Sequence, residues 1–440
     1  MNPVNEFKVV ERIQSVISIG EIAEQTRFTR RRARKLSPTV FLTSCLSVSA
    51  ISSASLLTAA FIAGVISKTK VSKTAIFKRM KTAGVAFLKA ILTAMLTAMV
   101  REGENSSTLN KNMMRFGRVL VQDSTNISLP SRLSDAYPGS RNQKKRSASM
   151  KIQAVFDLKN DRYVSFELTP YTENDQSKTL DILDEVSPGD LILRDLGYFS
   201  IASLMGIEQR GGYFVSRHFH RTRLFTSGGK SINLLRLLKK KEALDTTVLM
   251  GSDDRFPVRL VATPVPDDVA AERRFKAKNT RDRRALPSKE QLALLGWEIM
   301  ITNISKEDLK AADVYHLYEL RWRIENVFKV WKSYFKMSEV PSRMSVQQLE
   351  CLVYSRLIAI TVFHENTWTS LRIRLDDKDQ APAISLIKVA QIVTQCQALI
   401  TLAIHLGEED IVLENLEKHG RYDKRKHRNF QGILDEMLLG

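Results

Sequence analysis

Apolar residues along the first hundred positions recur at helical spacing. Phe7, Val10, Ile13 and Ile17 fall three or four apart, the period of one helix face. Ser37-Pro38 and Ser72 stand where helices would begin, since a serine oxygen there accepts from the free N–H groups of a first turn. Residues 1–110 therefore read as a helical domain, with one helix predicted over Ala75–Ala98. Near residue 117 the period changes. Arg118–Gln122 is a short apolar strand ending at Asp123-Ser124-Thr125, and Lys151–Leu158 and Tyr163–Leu168 are two more, joined by the turn residues Asn160-Asp161. Ser177–Glu185 reads as a short helix, Asp190–Asp195 as a buried strand and Ser200–Arg210 as a helix. Residues 111–210 thus predict a β-β-β-α-β-α order, an α/β layer. Strands return over 211–305 at Tyr213–Arg217, Thr247–Met250, Val258–Ala262 and Glu298–Thr302, a β-rich insertion. Residues 306–365 carry a long helix, Val314–Met337, and 366–440 form a C-terminal helical region with a basic tail.

The formal charge of +19 favours a polyanionic partner, nucleic acid first and an anionic membrane surface second. A basic helix after the turn at Val71-Ser72-Lys73, bearing Lys78, Arg79, Lys81 and Lys89, has the ingredients of a helix-turn-helix reader of DNA. Cys45, Cys351 and Cys396 are scattered, so they read as reduced thiols of a cytoplasmic protein rather than zinc ligands. Met1–Val9 lacks a signal-peptide pattern. Cys45–Ile66 is uncharged and long enough to span a bilayer, but six serines and threonines interrupt it. It is expected to form buried helices, with no membrane partner.

Two aspartates, Asp123 and Asp195, close apolar strands, and sites in open α/β sheets gather at such ends. Adjacent parallel strands would turn both carboxylates into one cleft. Asp190 sits at the wrong end of its strand. On the helix Val314–Met337, Tyr318, Arg321, Glu325 and Lys332 fall within about 60° of one another, while Leu320, Ile324, Val327, Trp331 and Phe335 face elsewhere, suited to a core. Each feature alone has a plainer explanation: a turn-capping aspartate, or an Arg321–Glu325 pair on a solvated face. Together, three carboxylates can hold two Mg²⁺, or Mn²⁺ in their place, roughly 4 Å apart. Arg321 and Lys332 would grip phosphate beside them, and Tyr318 can donate to a phosphate oxygen.

Tyr318-x2-Arg321-x3-Glu325-x6-Lys332 resembles the Tyr-Arg-Glu-Lys signature of a group of bacterial insertion-sequence DDE transposases. Asp123-Ser124-Thr125 and Asp195-x-Gly197-Tyr198 resemble that family's first and second acidic motifs. The likeness covers about residues 20–365. It implies an RNase H-like catalytic core with a β-rich insertion, and cut-and-paste transposition: hydrolysis at terminal inverted repeats, then strand transfer into target DNA. Carried over residue by residue, Asp123, Asp195 and Glu325 become metal ligands, and Tyr318, Arg321 and Lys332 become contacts to DNA backbone. It also implies a homodimer in the synaptic complex, with helices from about 345 to 405 as its surface. In relatives a tryptophan before the last core strand stacks on a flipped base and supports a hairpin intermediate. Trp297 holds a similar position, although an edge or core aromatic would look the same. The basic runs Arg141–Arg146, Arg217–Arg223 and Arg273–Arg284 suit a protein that grips DNA ends. The alternative is a catalytically silent regulator or relic of the same family.

Overall fold

The computed structural model describes residues 10–11, 13–29, 36–50, 55–103, 115–140, 146–239, 242–279, 286–376 and 384–422. The basic tail, residues 141–145 and 280–285, and most of the run at 27–35 lie outside the described residues.

The strands are β1 (Val119–Leu129), β2 (Ala148–Asp157), β3 (Arg162–Pro170), β4 (Leu191–Arg194), β5 (Tyr213–Arg217), β6 (Leu224–Phe225), β7 (Ser231–Ile232), β8 (Leu244–Met250), β9 (Phe256–Pro264) and β10 (Trp297–Thr302). Among the described residues they form one mixed sheet in the order β3-β2-β1-β4-β5-β10-β9-β8-β6-β7. β1, β4 and β5 are mutually parallel. β2 and β3 continue antiparallel on one side, and β10 pairs antiparallel with β5 on the other. The expected α/β layer is therefore present, with one revision. Tyr213–Arg217, assigned by sequence to the insertion, is the strand beside β4, and the insertion's strands extend the same sheet from it.

Three local expectations are corrected, each for a visible reason. β1 does not end at Asp123 but runs on to Leu129, because β2 pairs with it along its length, from Leu120↔Asp157 to Leu129↔Ala148. Only its β4 side stops early, at Val121↔Leu193. Ser177–Glu185 is two short 3-10 turns, Asp175–Lys178 and Asp181–Asp184, rather than an α-helix. The carbonyls of Lys178 and Thr179, which a helix would have used internally, accept instead from Gln122, Arg194 and Ser203. The predicted helix Ala75–Ala98 is two, Lys73–Arg79 and Thr82–Gly103, bent by 68° where Met80 leaves helical geometry (ψ 54°). Ser37 and Ser72 do cap their helices, accepting from the N–H groups of Val40 and Ala75.

Cys45–Ile66 falls across two 12-residue helices, Pro38–Ser49 and Leu56–Ser67, with 51–54 outside the described residues. Neither is of membrane-spanning length. The first is buried from Phe41 to Ser49, as expected; the second is not, burying Ala59, Ala60 and Ala63 but leaving Leu57, Phe61 and Val65 exposed on its other face. Val346–Leu375 is long and apolar enough to cross a membrane, but 78% of its apolar window lies inside the protein, as expected of a core helix. One continuous hydrophobic core joins Phe28, Phe41 and Phe87 of the N-terminal helices to Val119 and Val121 of β1 and to Leu357 and Ile358 of the helix Val346–Phe363. Phe28 stacks on Phe87 at 4.5 Å between centroids, a geometry that adds about 0.5–1.5 kcal/mol to the area buried. A second core lies beneath the insertion and includes Phe214, Phe256, Leu260 and Ile301.

Candidate active site

The cleft opens where β1 and β4 part. Their last parallel pair is Val121↔Leu193, so two residues further along each strand lie Asp123 and Asp195. With no β1–β4 ladder beyond that pair, both acids stay partly open to solvent. Asp190, at the other end of β4, is structural: its buried carboxylate pairs with Arg118 at 2.6 Å and accepts the Ser187 N–H at 2.8 Å.

The third acid comes from a segment that packs across this opening. The predicted helix Val314–Met337 spans Ala311–Glu319 and Arg323–Ser333, tightened to a 3-10 turn over Leu320–Trp322. Leu320, Ile324, Val327 and Trp331 are buried in the main core, and Trp331 donates to the Tyr163 hydroxyl at 3.1 Å. That packing fixes the helix's rotation and turns the other face to the aspartates. Tyr318 donates to Asp195 Oδ1 at 3.2 Å. The Arg321 guanidinium reaches all three acids: Asp123 Oδ2 at 3.4 Å, Asp195 Oδ1 at 3.8 Å and Glu325 Oε1 at 3.5 Å. The 3-10 turn falls on Arg321 itself.

Electrostatically the cleft is short of positive charge. Three carboxylates share one guanidinium. Burial pushes the Asp123 carboxyl up to about 6; the Ser124 N–H and Arg321 oppose this, and Asp195 and Glu325 add to it. Arg321 is pushed above its ordinary value: burial alone would lower it, but the surrounding acids win. Among the described residues no three acids converge closely enough to ligate one ion as they stand, because they close on Arg321. The donor set is nonetheless oxygen only, with excess negative charge, and suits Mg²⁺ or Mn²⁺ rather than zinc.

Of the other residues singled out by sequence, Lys332 lies exposed one turn beyond Phe328, and partial burial lowers its pKa. Trp297 opens β10, half-buried against the second core, with no described contact to the acids. In the basic run at 273–284, Arg273 pairs with Glu298 and Arg274 donates to the Leu292 carbonyl, so both point back onto the protein. Arg217, at the end of β5, lies 5.3 Å from the centre of the Tyr318 ring.

Sequence reasoning passed over a polar network behind the acids. Asp175 Oδ1 accepts from Ser124 Oγ at 3.0 Å, Lys151 Nζ at 2.9 Å and Gln153 Nε2 at 3.1 Å, and the Tyr198 hydroxyl, which donates to Gln153 Oε1, lies 3.3 Å from it. Burial would raise its pKa, but Lys151 and Gln153 hold it below the ordinary carboxylate range. A signal was present: Lys151 and Gln153 stand two apart, hence on one face, in a strand otherwise mostly apolar. Behind β4, the buried Arg194 donates to Gln122, Ser203 and the Thr179 and Tyr198 carbonyls.

A conserved-family profile described as Transposase DDE domain matches residues 114–362, more than half of the chain and all three acids. The chain belongs to this family, the DDE transposases of bacterial insertion sequences. Its relatives include the transposase for insertion sequence element IS231F of Bacillus thuringiensis subsp. israelensis, 27% identical over 97% of this chain and 95% of that one. The transposase for IS231D of Bacillus thuringiensis subsp. finitimus is 28% identical over 95% and 93%. That for IS1151 of Clostridium perfringens is 25% identical over 96% and 93%.

Proposed function

We propose that this chain performs cut-and-paste transposition of its insertion sequence, cutting phosphodiester bonds at the terminal inverted repeats and joining the ends to target DNA. The observation that carries the proposal is the convergence of Asp123, Asp195 and Glu325, from three distant stretches of sequence, around Arg321. The strand order β3-β2-β1-β4-β5 supports an RNase H-like core beneath them. Asp123, Asp195 and Glu325 are the residues that would hold two Mg²⁺, or Mn²⁺. Bound there, the ions supply Lewis acidity at the attacking and leaving oxygens of the phosphate.

The chain's own residues supply the rest. Arg321 offers a planar fork to a phosphate oxygen pair, and its present contacts with the acids keep it poised at the cleft. Tyr318 orients Asp195 through its hydroxyl, and Lys332 adds a point charge further along the same segment. Trp297 leaves part of its ring exposed at the start of β10, a position open to stacking on a displaced base. The partners are double-stranded DNA and a second copy of the chain in the cytoplasm. Of the proposed dimer range, Val346–Phe363 is almost wholly buried in its own chain, whereas Ile373, Leu399 and Leu402 are exposed.

The test is cleavage of a labelled DNA carrying the flanking terminal repeat, in Mg²⁺ and in EDTA, by wild type and Glu325→Gln. Mg²⁺-dependent cutting at the repeat end, lost in the variant, is expected. Sound end binding without cutting by wild type would favour the silent-regulator reading. Absence of both binding and cutting would refute a DNA partner.

A further inference from the structure

The two acidic motifs are tied to each other by a residue that belongs to neither. Ser124 follows Asp123, and its N–H donates to Asp123 Oδ1 at 2.7 Å. Its hydroxyl turns the opposite way, to Asp175 Oδ1 at 3.0 Å. Tyr198 ends the 3-10 turn Leu196–Tyr198 that begins at Asp195. Its hydroxyl lies 3.3 Å from the same Oδ1 and donates to Gln153 Oε1 at 2.5 Å. Gly197 of the second motif lies between two carboxylates: a methyl group there would sit in ordinary contact, 3.9 Å from Asp175 Oδ2 and 3.9 Å from Asp195 Oδ2. Both carboxylates therefore flank one glycine. Lys151, whose side chain is 6% exposed, holds Asp175 from beneath and is itself fixed by the Glu173 carbonyl at 2.8 Å.

We propose that Asp175 is a positioning residue, a carboxylate anchored on β2 that fastens the Asp123 and Asp195 motifs at the spacing their shared cations require. Because β1 and β4 share no ladder beyond Val121↔Leu193, backbone pairing does not set the separation of the two acids. The Ser124–Asp175–Tyr198 bridge spans that gap. It also gives the serine and tyrosine hydroxyls that flank the acids one shared neighbour. Residues that orient metal ligands from behind commonly control affinity as strongly as some ligands do.

This inference rests on the proposed metal-dependent transposase site. Its test is Mn²⁺ binding to the full-length protein, followed by electron paramagnetic resonance, alongside the Mg²⁺ midpoint for cleavage of terminal-repeat DNA and end binding in EDTA. Asp175→Ala should weaken Mn²⁺ binding roughly tenfold or more and raise the Mg²⁺ midpoint in parallel, with end binding in EDTA unchanged. Asp175→Asn keeps an acceptor for Ser124 and Tyr198 and should shift both less. If unpaired Lys151 harms folding, Asp175→Ala combined with Lys151→Met removes the buried charge and should show the same Mn²⁺ loss. Ser124→Ala should shift the affinity in wild type and add nothing in the Asp175→Ala background. Wild-type Mn²⁺ affinity and Mg²⁺ midpoint in the Asp175→Ala proteins, with Glu325→Gln defective, would overturn the role of Asp175 alone. Wild-type behaviour of Glu325→Gln would overturn the metal site itself, and the Asp175 inference with it.

Discussion

Replacing Asp123 by asparagine separates what the acidic cleft costs in stability from what it does in catalysis. The Asp123 side chain is 23% exposed, and its carboxyl is raised from 3.8 to about 6, first by burial and then by Asp195 and Glu325, against the Ser124 N–H and Arg321. An acid whose folded-state pKa lies above its unfolded value destabilises the fold as pH rises. The penalty is absent below about pH 4, grows through about pH 6 and is complete near pH 7. One pKa unit corresponds to about 1.4 kcal/mol, so the rise limits the penalty to about 3 kcal/mol. Asparagine keeps an acceptor for the Ser124 N–H but weakens one of Arg321's three contacts, and solvent screens part of the repulsion. The expected net gain in EDTA is therefore about 1–2 kcal/mol at about pH 8, shrinking towards zero at about pH 4. Urea unfolding of wild type and Asp123→Asn at the two pH values measures it. Adding Mg²⁺ should stabilise wild type more than the variant, and the variant should not cut DNA. A variant no more stable than wild type at the higher pH, or equally favoured at both, would refute the account of a charge-strained cleft.

Three further outcomes are expected. Asp195→Asn should leave terminal-repeat binding nearly intact in a gel-shift assay while nicking is lost; equal loss of both would make Asp195 structural. Lys332→Ala should weaken the end complex more than nonspecific DNA binding, because its charge serves one phosphate near the cut rather than the whole duplex; an unchanged end complex removes it from that role. Asp161, in the β2–β3 turn, pairs with Arg323 at 3.3 Å and accepts from Trp368 at 2.6 Å. Burial would raise its pKa, but Arg323, His364 and Arg372 hold it well below the carboxylate range. Asp161→Asn should therefore cost about 3 kcal/mol in urea unfolding near neutral pH. This stabilisation is complete above about pH 4 and is lost in stronger acid, so the difference should narrow there.

The acids were legible in sequence because each chemical role left a local pattern. Asp123 and Asp195 followed apolar runs, and Tyr318, Arg321 and Glu325 shared one helix face. Strand positions were readable for the same reason, although their partners were not. Nothing local says that Tyr213–Arg217 pairs with β4, since register is set by neighbours distant in sequence. The Ser177–Glu185 error arose because Gln122, on a strand far back in the chain, and the buried Arg194 claim carbonyls that a helix needed. The Asp175 network was hidden because its members are scattered over Ser124, Lys151, Gln153, Asp175 and Tyr198, and a lone aspartate after a strand looks like a turn. Arg321 is legible as a cation beside the acids, but the 3-10 turn at Leu320–Trp322 that carries it left no local pattern.

The main core that joins the N-terminal helices to the helix Val346–Phe363 has a consequence for biosynthesis. A growing chain that has passed Asp195 holds two acids but neither Glu325 nor the helix Val346–Phe363, which shares one core with Phe41 and Phe87. At about 5–20 residues per second, the ribosome needs on the order of ten seconds more to reach them. During that interval the nascent protein can neither complete its cleft nor close its core. On the proposed site, cutting competence thus arrives late and all at once, and a product truncated before this helix is expected to be inert as a nuclease.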